Sequence, residues 1–318
     1  MPAVYATEIY WILGSLLVVV SLASLTGYVL ARREPNSPAM QNLNARIRSW
    51  WVMILVGGAA LLAGRTTVIL LFAFLSFLCL REFLTQAPGR RADHSALFAC
   101  FFIALPVQYL LIGMDWYGLF SVWIPVYGFL VLPVLAALFS DTERFLDRTA
   151  ATHWGLMVCV YCISHVPALM TLEIPGYAAR SPLLMVFLVL IAQTSDVMQY
   201  VWGKLLGRHR IVPVISPSKT VEGLVGGVLS ATLLGGALWR ITPFTPWQSS
   251  LLAFLVATLG FLGGLVMSAI KRDRGIKDWG NLIEGHGGML DRMDSLCFSA
   301  PVFFHLVRYF FTQYVILK

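Results

Sequence analysis

SSLLAFLVATLGFLGGLVMSAI, residues 249–270, runs for twenty-two residues without a charge. At about 1.5 Å per helical residue, such a run crosses the roughly 30 Å hydrocarbon core of a bilayer. Its apolar residues do not alternate with polar ones, as they would in a membrane barrel, so a helix is the expected spanning element. Comparable runs recur near 8–30, 50–64, 66–84, 95–113, 118–139, 152–171, 182–206, 221–239 and 295–316. The second is short, and only Gly64-Arg65 separates it from the third. That spacing predicts either a tight helical hairpin or a partly re-entrant pair. The expected fold is an all-α polytopic integral membrane protein with nine or ten transmembrane helices.

Composition supports this reading. Of 318 residues, 58% are hydrophobic and 12% charged, and the mean hydropathy is +0.77. Soluble domains carry about 25% charged residues, and a disordered chain would be far less apolar. The net charge of +7 is then read as loop asymmetry rather than as affinity for nucleic acid, which is not an expected partner. Loops 31–49, 81–94, 140–151, 204–220 and 271–294 together hold eighteen Lys and Arg residues, against four (Arg65, Arg180, Arg240 and Lys318) on the opposite side. By the positive-inside bias the five basic loops face the cytoplasm and both termini face away from it. The first basic residue, Arg32, follows the first apolar run, the reverse of a cleaved signal, so that run is expected to stay as a span. This order and the compact length favour a bacterial inner membrane.

Five cysteines lie in or beside apolar runs, and Cys159 and Cys162, although spaced C-x-x-C, have no zinc partner pair, so they read as packing residues. His165 and His305 read the same way. No linker or repeat divides the chain. Residues 1–180 are expected to supply N-terminal transmembrane helices. Residues 181–318 are expected to supply the catalytic helices and cytoplasmic loops of one continuous membrane domain.

Polar chemistry concentrates in three places. Segment 271–294 has ten charged residues and five glycines in twenty-four positions. Asp291 and Asp294 stand three apart, sharing a face if the segment is helical, and Asp278 can join them. Clustered carboxylates suit Mg²⁺, which takes one or two of them plus substrate phosphates. Lys271, Arg272, Lys277 and Arg292 suit phosphate oxygens, and glycines allow close backbone approach to phosphate. Ser195-Asp196 lies inside an apolar run, where an acid is costly and marks a functional site by default. In 216–223, SPSKTVEG, Pro217 breaks the preceding element, Ser218 or Thr220 can cap a following helix, and Lys219 adds a cation at that helix start.

Together these segments resemble the phosphatidate cytidylyltransferase (CDP-diacylglycerol synthase) family, whose pattern runs S-x-x-K-R, K-D-x-G and H-G-G-x-x-D-R-x-D. The chain reads Ser268-Ala-Ile-Lys271-Arg272, then Lys277-Asp278-Trp-Gly280, then His286-Gly287-Gly288-Met-Leu-Asp291-Arg292-Met-Asp294. Asp196-x-x-x-Tyr200-x-x-Gly203-x-x-x-Gly207 and SPSKTVEG also resemble family segments. The chain departs from the pattern at Glu284, Ser218 and Gln199, which leaves the acids and bases intact and suggests a divergent paralogue. The resemblance implies transfer of the cytidylyl group of CTP to phosphatidate, giving CDP-diacylglycerol and pyrophosphate in phospholipid biosynthesis. It implies Mg²⁺, with room for a second metal ion, held by Asp278, Asp291 and Asp294 with Asp196 as helper. Lys271, Arg272, Lys277 and Arg292 would engage phosphate groups. Ser216, Lys219 and Thr220 would hold the nucleotide, and His286, Gly287 and Gly288 would shape the pyrophosphate pocket. Expected partners are CTP, phosphatidate or a related phospholipid, the bilayer and, as a candidate, a second copy of the chain. Two other readings stand beside this one: a CTP-dependent prenol or lipid kinase, and a non-enzymatic transporter of phosphorylated lipid.

Overall fold

The computed structural model describes residues 6–33, 37–87, 89–90, 93–138, 141–177, 180–283, 285 and 287–312. The helices are α1 (Ala6–Arg33), α2 (Pro38–Ala63), α3 (Arg65–Thr85), α4 (His94–Gly113), α5 (Tyr117–Ala137), α6 (Phe145–Thr171), α7 (Pro182–Leu206), α8 (Val221–Ala237), α9 (Pro246–Asp273) and α10 (Leu290–Phe311). Among the described residues, nine helices are long and apolar enough to cross a membrane, and α10, richer in charge, is the tenth long helix. The chain is thus an all-α integral membrane protein. Helices α4, α5 and α6 each contain a π-helical turn, at Cys100–Ala104, Trp123–Gly128 and Met157–Cys162.

The second span is longer than its apolar run. Helix α2 begins at Pro38, with proline in its first turn, where the missing N–H costs nothing. Arg46 and Arg48, expected in a loop, therefore lie on helix. Hydropathy marks only the part of a helix that sits in hydrocarbon, so its polar first turns escaped it. The join to α3 is a tight hairpin rather than a re-entrant pair. It turns at Gly64, whose φ of 105° and ψ of −177° suit a residue without Cβ.

The basic ends of the helices meet at one face. There, Arg148 is buried against Asp93, with Nε 3.1 Å from the carboxylate. Arg272 Nε donates to the Ile215 carbonyl at 3.1 Å. The opposite face carries the pairs Arg65–Asp115 and Arg180–Glu8. The core between these faces holds Phe187, Phe303, Phe304, Leu183, Leu188 and Ile191, all essentially inaccessible. His165, also buried, hydrogen-bonds the Tyr161 carbonyl through Nδ1 at 2.8 Å and packs against Phe120 and Phe304. Cys159 is buried and all five cysteines are free thiols, in keeping with their reading as packing residues.

Between α7 and α8 the chain leaves helical structure for a short antiparallel hairpin, β1 (Arg210–Val212) and β2 (Ser216–Thr220), with Val212 paired to Ser216 and Arg210 to Thr220. Glu222 closes its base by accepting hydrogen bonds from the backbone N–H groups of Arg208 and His209, at 3.0 and 3.2 Å.

Candidate functional site

Helices α7, α9 and α10 converge with β2 on a half-buried polar cluster. Ser295, on α10, is 2% exposed and links two acids. Its hydroxyl donates to Asp196 Oδ2 on α7 at 2.7 Å, and its backbone N–H donates to Asp294 Oδ1 at 2.9 Å. The two carboxylates are close enough to repel each other, and Lys219 and Arg292 are close enough to both to offset that repulsion. Lys219 reaches in from β2, its ammonium 4.7 Å from the centre of the Phe261 ring on α9, a cation–π contact. Burial holds the Lys219 amine below the usual lysine value, while Asp294 and Asp196 act to raise it and Lys271 to lower it. At Gly264 on α9 a Cβ would stand 3.1 Å from Lys219 Nζ and 3.7 Å from Asp294 Oδ2. A glycine inside this span leaves the space into which cation and carboxylate project.

A second cluster adjoins the first. Lys271, in the last turn of α9, places Nζ 2.7 Å from Asp291 Oδ1, and both side chains are nearly buried. Asp291 Oδ2 accepts from the N–H groups of Trp279 and Gly288, at 2.8 and 2.9 Å. Asp291 and Asp294 share the first turns of α10, as their spacing predicts, yet they serve different clusters. Asp291 already has three partners within the protein, whereas Asp294 faces Asp196. Among the described residues, no group of three or more His, Cys, Asp or Glu side chains is arranged to hold a metal ion. A pair of carboxylates is still what Mg²⁺ uses when substrate phosphates and water complete its shell. Asp196 and Asp294 fit that donor set.

The remaining expected residues separate by what they touch. Arg272 donates from Nε to the Ile215 carbonyl and from Nη1 to the Ile276 carbonyl, at 3.1 and 3.2 Å, so it ties the hairpin to the loop after α9. Arg292 keeps a buried Nε with no hydrogen-bond partner among the described residues. Such a donor, beside the acid pair, is suited to an incoming phosphate oxygen. Lys277 and Asp278 are exposed, Asp278 next to Gly287. Thr220 caps α8, accepting from the Gly223 N–H at 3.1 Å, and Ser216 begins β2 half-buried. Gly287 has φ +84°, in the region that favours glycine. His286 and Glu284 lie outside the described residues, as do the chain termini. Gln199 lies across Gly227 of α8, where a Cβ would come within 2.3 Å of its Cγ, and donates to Ser195 Oγ at 2.8 Å. That departure from the family pattern is a packing contact between α7 and α8.

Three participants are absent from the expected set. Ser295 joins the acids. Glu82, 5% exposed near the end of α3, accepts from the N–H groups of Met289 and Leu290, both at 2.9 Å. Arg46 of α2 donates to the Gly285 carbonyl at 3.2 Å. The only sequence signal for Glu82 is an acid close to the end of an apolar run, which reads as a solvated helix end.

The profile of the Cytidylyltransferase family matches residues 44–310. The chain belongs to the cytidylyltransferase family. As a cytidylyltransferase-family protein it is a nucleotidyltransferase, with a nucleotide substrate and a lipid partner in a membrane. It is 39% identical over 300 residues to the "Uncharacterized protein YnbB" of Escherichia coli (strain K12), covering 93% of this chain and 97% of that one. It is 28% identical over 260 residues to a phosphatidate cytidylyltransferase of Staphylococcus haemolyticus (strain JCSC1435), covering 79% and 94%. A phosphatidate cytidylyltransferase of Synechocystis sp. (strain ATCC 27184 / PCC 6803 / Kazusa) is 45% identical over 115 residues, covering 36% and 39%. Similarity to this cytidylyltransferase-family chain thus runs along nearly the whole length of the first two relatives.

Proposed function

We propose that the chain transfers the cytidylyl group of CTP to phosphatidate, releasing pyrophosphate and forming CDP-diacylglycerol. The observation that carries this reading is the facing pair Asp196 and Asp294, joined by Ser295 and flanked by Lys219 and Arg292. A polyanion attacking a polyanion needs charge compensation more than it needs a base. The phosphate nucleophile is already ionised at neutral pH, so catalysis rests on positioning and electrostatic stabilisation.

Asp196 and Asp294 would hold Mg²⁺, which when bound neutralises phosphate charge and orients the reacting oxygens. Lys219, and Arg292 through an Nε that has no hydrogen-bond partner among the described residues, supply fixed positive charge to the triphosphate. Lys271 neutralises Asp291, and that pair holds the Trp279 and Gly288 backbone against α10. Arg272 acts by joining the hairpin to the loop, which keeps Lys219 at the cluster. Asp294 stands near the start of α10, Lys271 in the last turn of α9 and Lys219 on the hairpin, while Asp196 meets them from inside α7, so the site opens from the loop side, where a water-soluble nucleotide and a lipid headgroup can meet. The inner membrane, with the basic face in the cytoplasm, is the location this reading requires.

The test is pyrophosphate release by purified protein in detergent with CTP, Mg²⁺ and phosphatidate, against omission of each. Release that needs all three, with CDP-diacylglycerol as product, is the expected result. CDP as product would instead establish a lipid kinase. CTP-independent lipid movement with no turnover would establish a transporter.

A further inference from the structure

Helix α10 begins without a cap of its own. Its N-cap position is Met289, whose thioether is only a weak acceptor, and its side chain makes no cap hydrogen bond there. The first N–H groups of a helix have no partner inside it. Glu82 supplies one from a different span, with one carboxylate oxygen on the Met289 N–H and the other on the Leu290 N–H. A carboxylate there also meets the positive end of the helix dipole. Two glycines make room for it. A Cβ on Gly288 would stand 2.5 Å from Glu82 Oε2. One on Gly280 would stand 3.0 Å from Oε1, with only Glu82 atoms as its nearest neighbours. Phe83, the next residue, stacks on Trp279 at 5.1 Å between ring centres. The end of α3 is thereby fitted to the loop from both sides.

We infer that Glu82 is a positioning residue for nucleotidyl transfer, acting from the N-terminal half of the chain as the cap of α10. Among the described residues its carboxylate hydrogen-bonds the Met289 and Leu290 N–H groups and neither the acid pair nor Lys219. It fixes the turn that carries Asp291 and, one turn on, Asp294. The same turn presents Gly288 N–H to Asp291, so releasing it loosens the Lys271–Asp291 cluster as well. A glycine-rich loop before a helix invites the reading of an open phosphate cradle. Here the Gly288, Met289 and Leu290 N–H groups are already taken by Asp291 and Glu82. The loop's glycines admit protein carboxylates.

This inference rests on the proposed reaction for its kinetic readout, and the experiment separates the two. Wild-type turnover is measured first; its absence would remove the proposed function. Glu82 is then read independently by hydrogen exchange at Met289 and Leu290 and by thermal stability, neither of which needs turnover. In active protein, Glu82→Gln is expected to lower kcat/KM for CTP tenfold or more, to leave the KM of the lipid acceptor unchanged, and to speed exchange at both amides. A purely structural glutamate would reduce the amount of folded protein and leave the kinetics of the CTP-binding fraction at the wild-type value. Gly280→Ala is expected to reproduce the loss in wild type and to add nothing in Glu82→Ala. Additive losses, or Glu82→Gln with wild-type kcat/KM and exchange, would overturn the inference. Should Glu82→Ala fail to fold, the kcat and acceptor-KM pattern of Gly280→Ala and Glu82→Gln decides in its place.

Discussion

Lys271 Nζ lies 2.7 Å from Asp291 Oδ1, with the two side chains 12% and 5% exposed. The pair joins the end of α9 to the start of α10 across the whole intervening loop. Breaking a buried pair by removing one partner leaves an uncompensated charge and costs about 3–5 kcal/mol. Lys271→Met and Asp291→Asn are each expected to destabilise the protein by that order. The double variant should lose less than the sum of the two. Thermal unfolding of the four proteins in one detergent checks this; additive losses would mean that the contact carries no coupling.

Asp196 and Asp294 face each other with no cation directly bound to either by a hydrogen bond among the described residues; Lys271, Arg292 and Lys219 act on Asp294 from a short distance, and Lys219 and Arg292 on Asp196. Neutralising one acid relieves their repulsion but removes half of the donor pair for Mg²⁺. Asp196→Asn and Asp294→Asn are therefore expected to hold or raise the melting temperature in the absence of divalent cation. Both should lose the Mg²⁺-dependent rise that binding to the folded state produces. Turnover should fall on the order of 10²-fold or more, the usual size of losing one preorganised electrostatic contact. Unfolding scans across a Mg²⁺ series, with and without CTP, give both readouts; a wild-type Mg²⁺ response in either variant would remove the metal assignment.

Burial lowers the Lys219 amine below the ordinary lysine value, and this sets a pH dependence with a definite sign. The unfolded chain binds the proton more tightly, so between the folded and unfolded values it carries more protons than the folded one. Stability therefore rises with pH across that window. Activity runs the opposite way, because the deprotonated amine no longer offsets phosphate charge. The expected profile of kcat/KM falls on the alkaline side at lower pH than a solvent-exposed lysine would give. The fall in kcat should come later, since bound triphosphate favours the ammonium. Lys219→Arg should move the alkaline limb of kcat/KM upward. Identical alkaline limbs in wild type and Lys219→Arg would assign the limb to another group.

How much of this was legible beforehand depends on the distance over which each feature is decided. The apolar run 249–270 determines its own helix locally, because helix is the one structure in which a single segment satisfies its own backbone in lipid. Thr220 as a cap is equally local, and it is seen bonded to the Gly223 N–H. The polar start of α2 was missed because Arg46 and Arg48 carry no hydropathy signal. The fates of Asp291 and Asp294 were legible only in part: their spacing places them on one helix face, but which partner each meets depends on Lys271 and Asp196, which arrive from other helices. Glu82 was not legible at all. Its role depends on a contact across more than two hundred residues, and its local context is that of any acid at the end of a span.

Gly264 offers the sharpest separation of stability from function. It sits inside α9, where alanine is favoured over glycine by about 1 kcal/mol in a helix. Its Cβ would meet no backbone, only Lys219 Nζ at 3.1 Å and Asp294 Oδ2 at 3.7 Å. The lysine head is flexible enough to yield, so the fold should tolerate the methyl. The cost is a displaced ammonium, and misplacing a charge by a fraction of an ångström to an ångström can cost up to about 10²-fold in rate. Gly264→Ala is therefore expected to keep or raise the melting temperature while lowering kcat about tenfold, with CTP binding weakened less than turnover. Parallel unfolding and steady-state measurements decide it. A variant as active as wild type would mean that the space beside Gly264 is not where Lys219 meets the triphosphate.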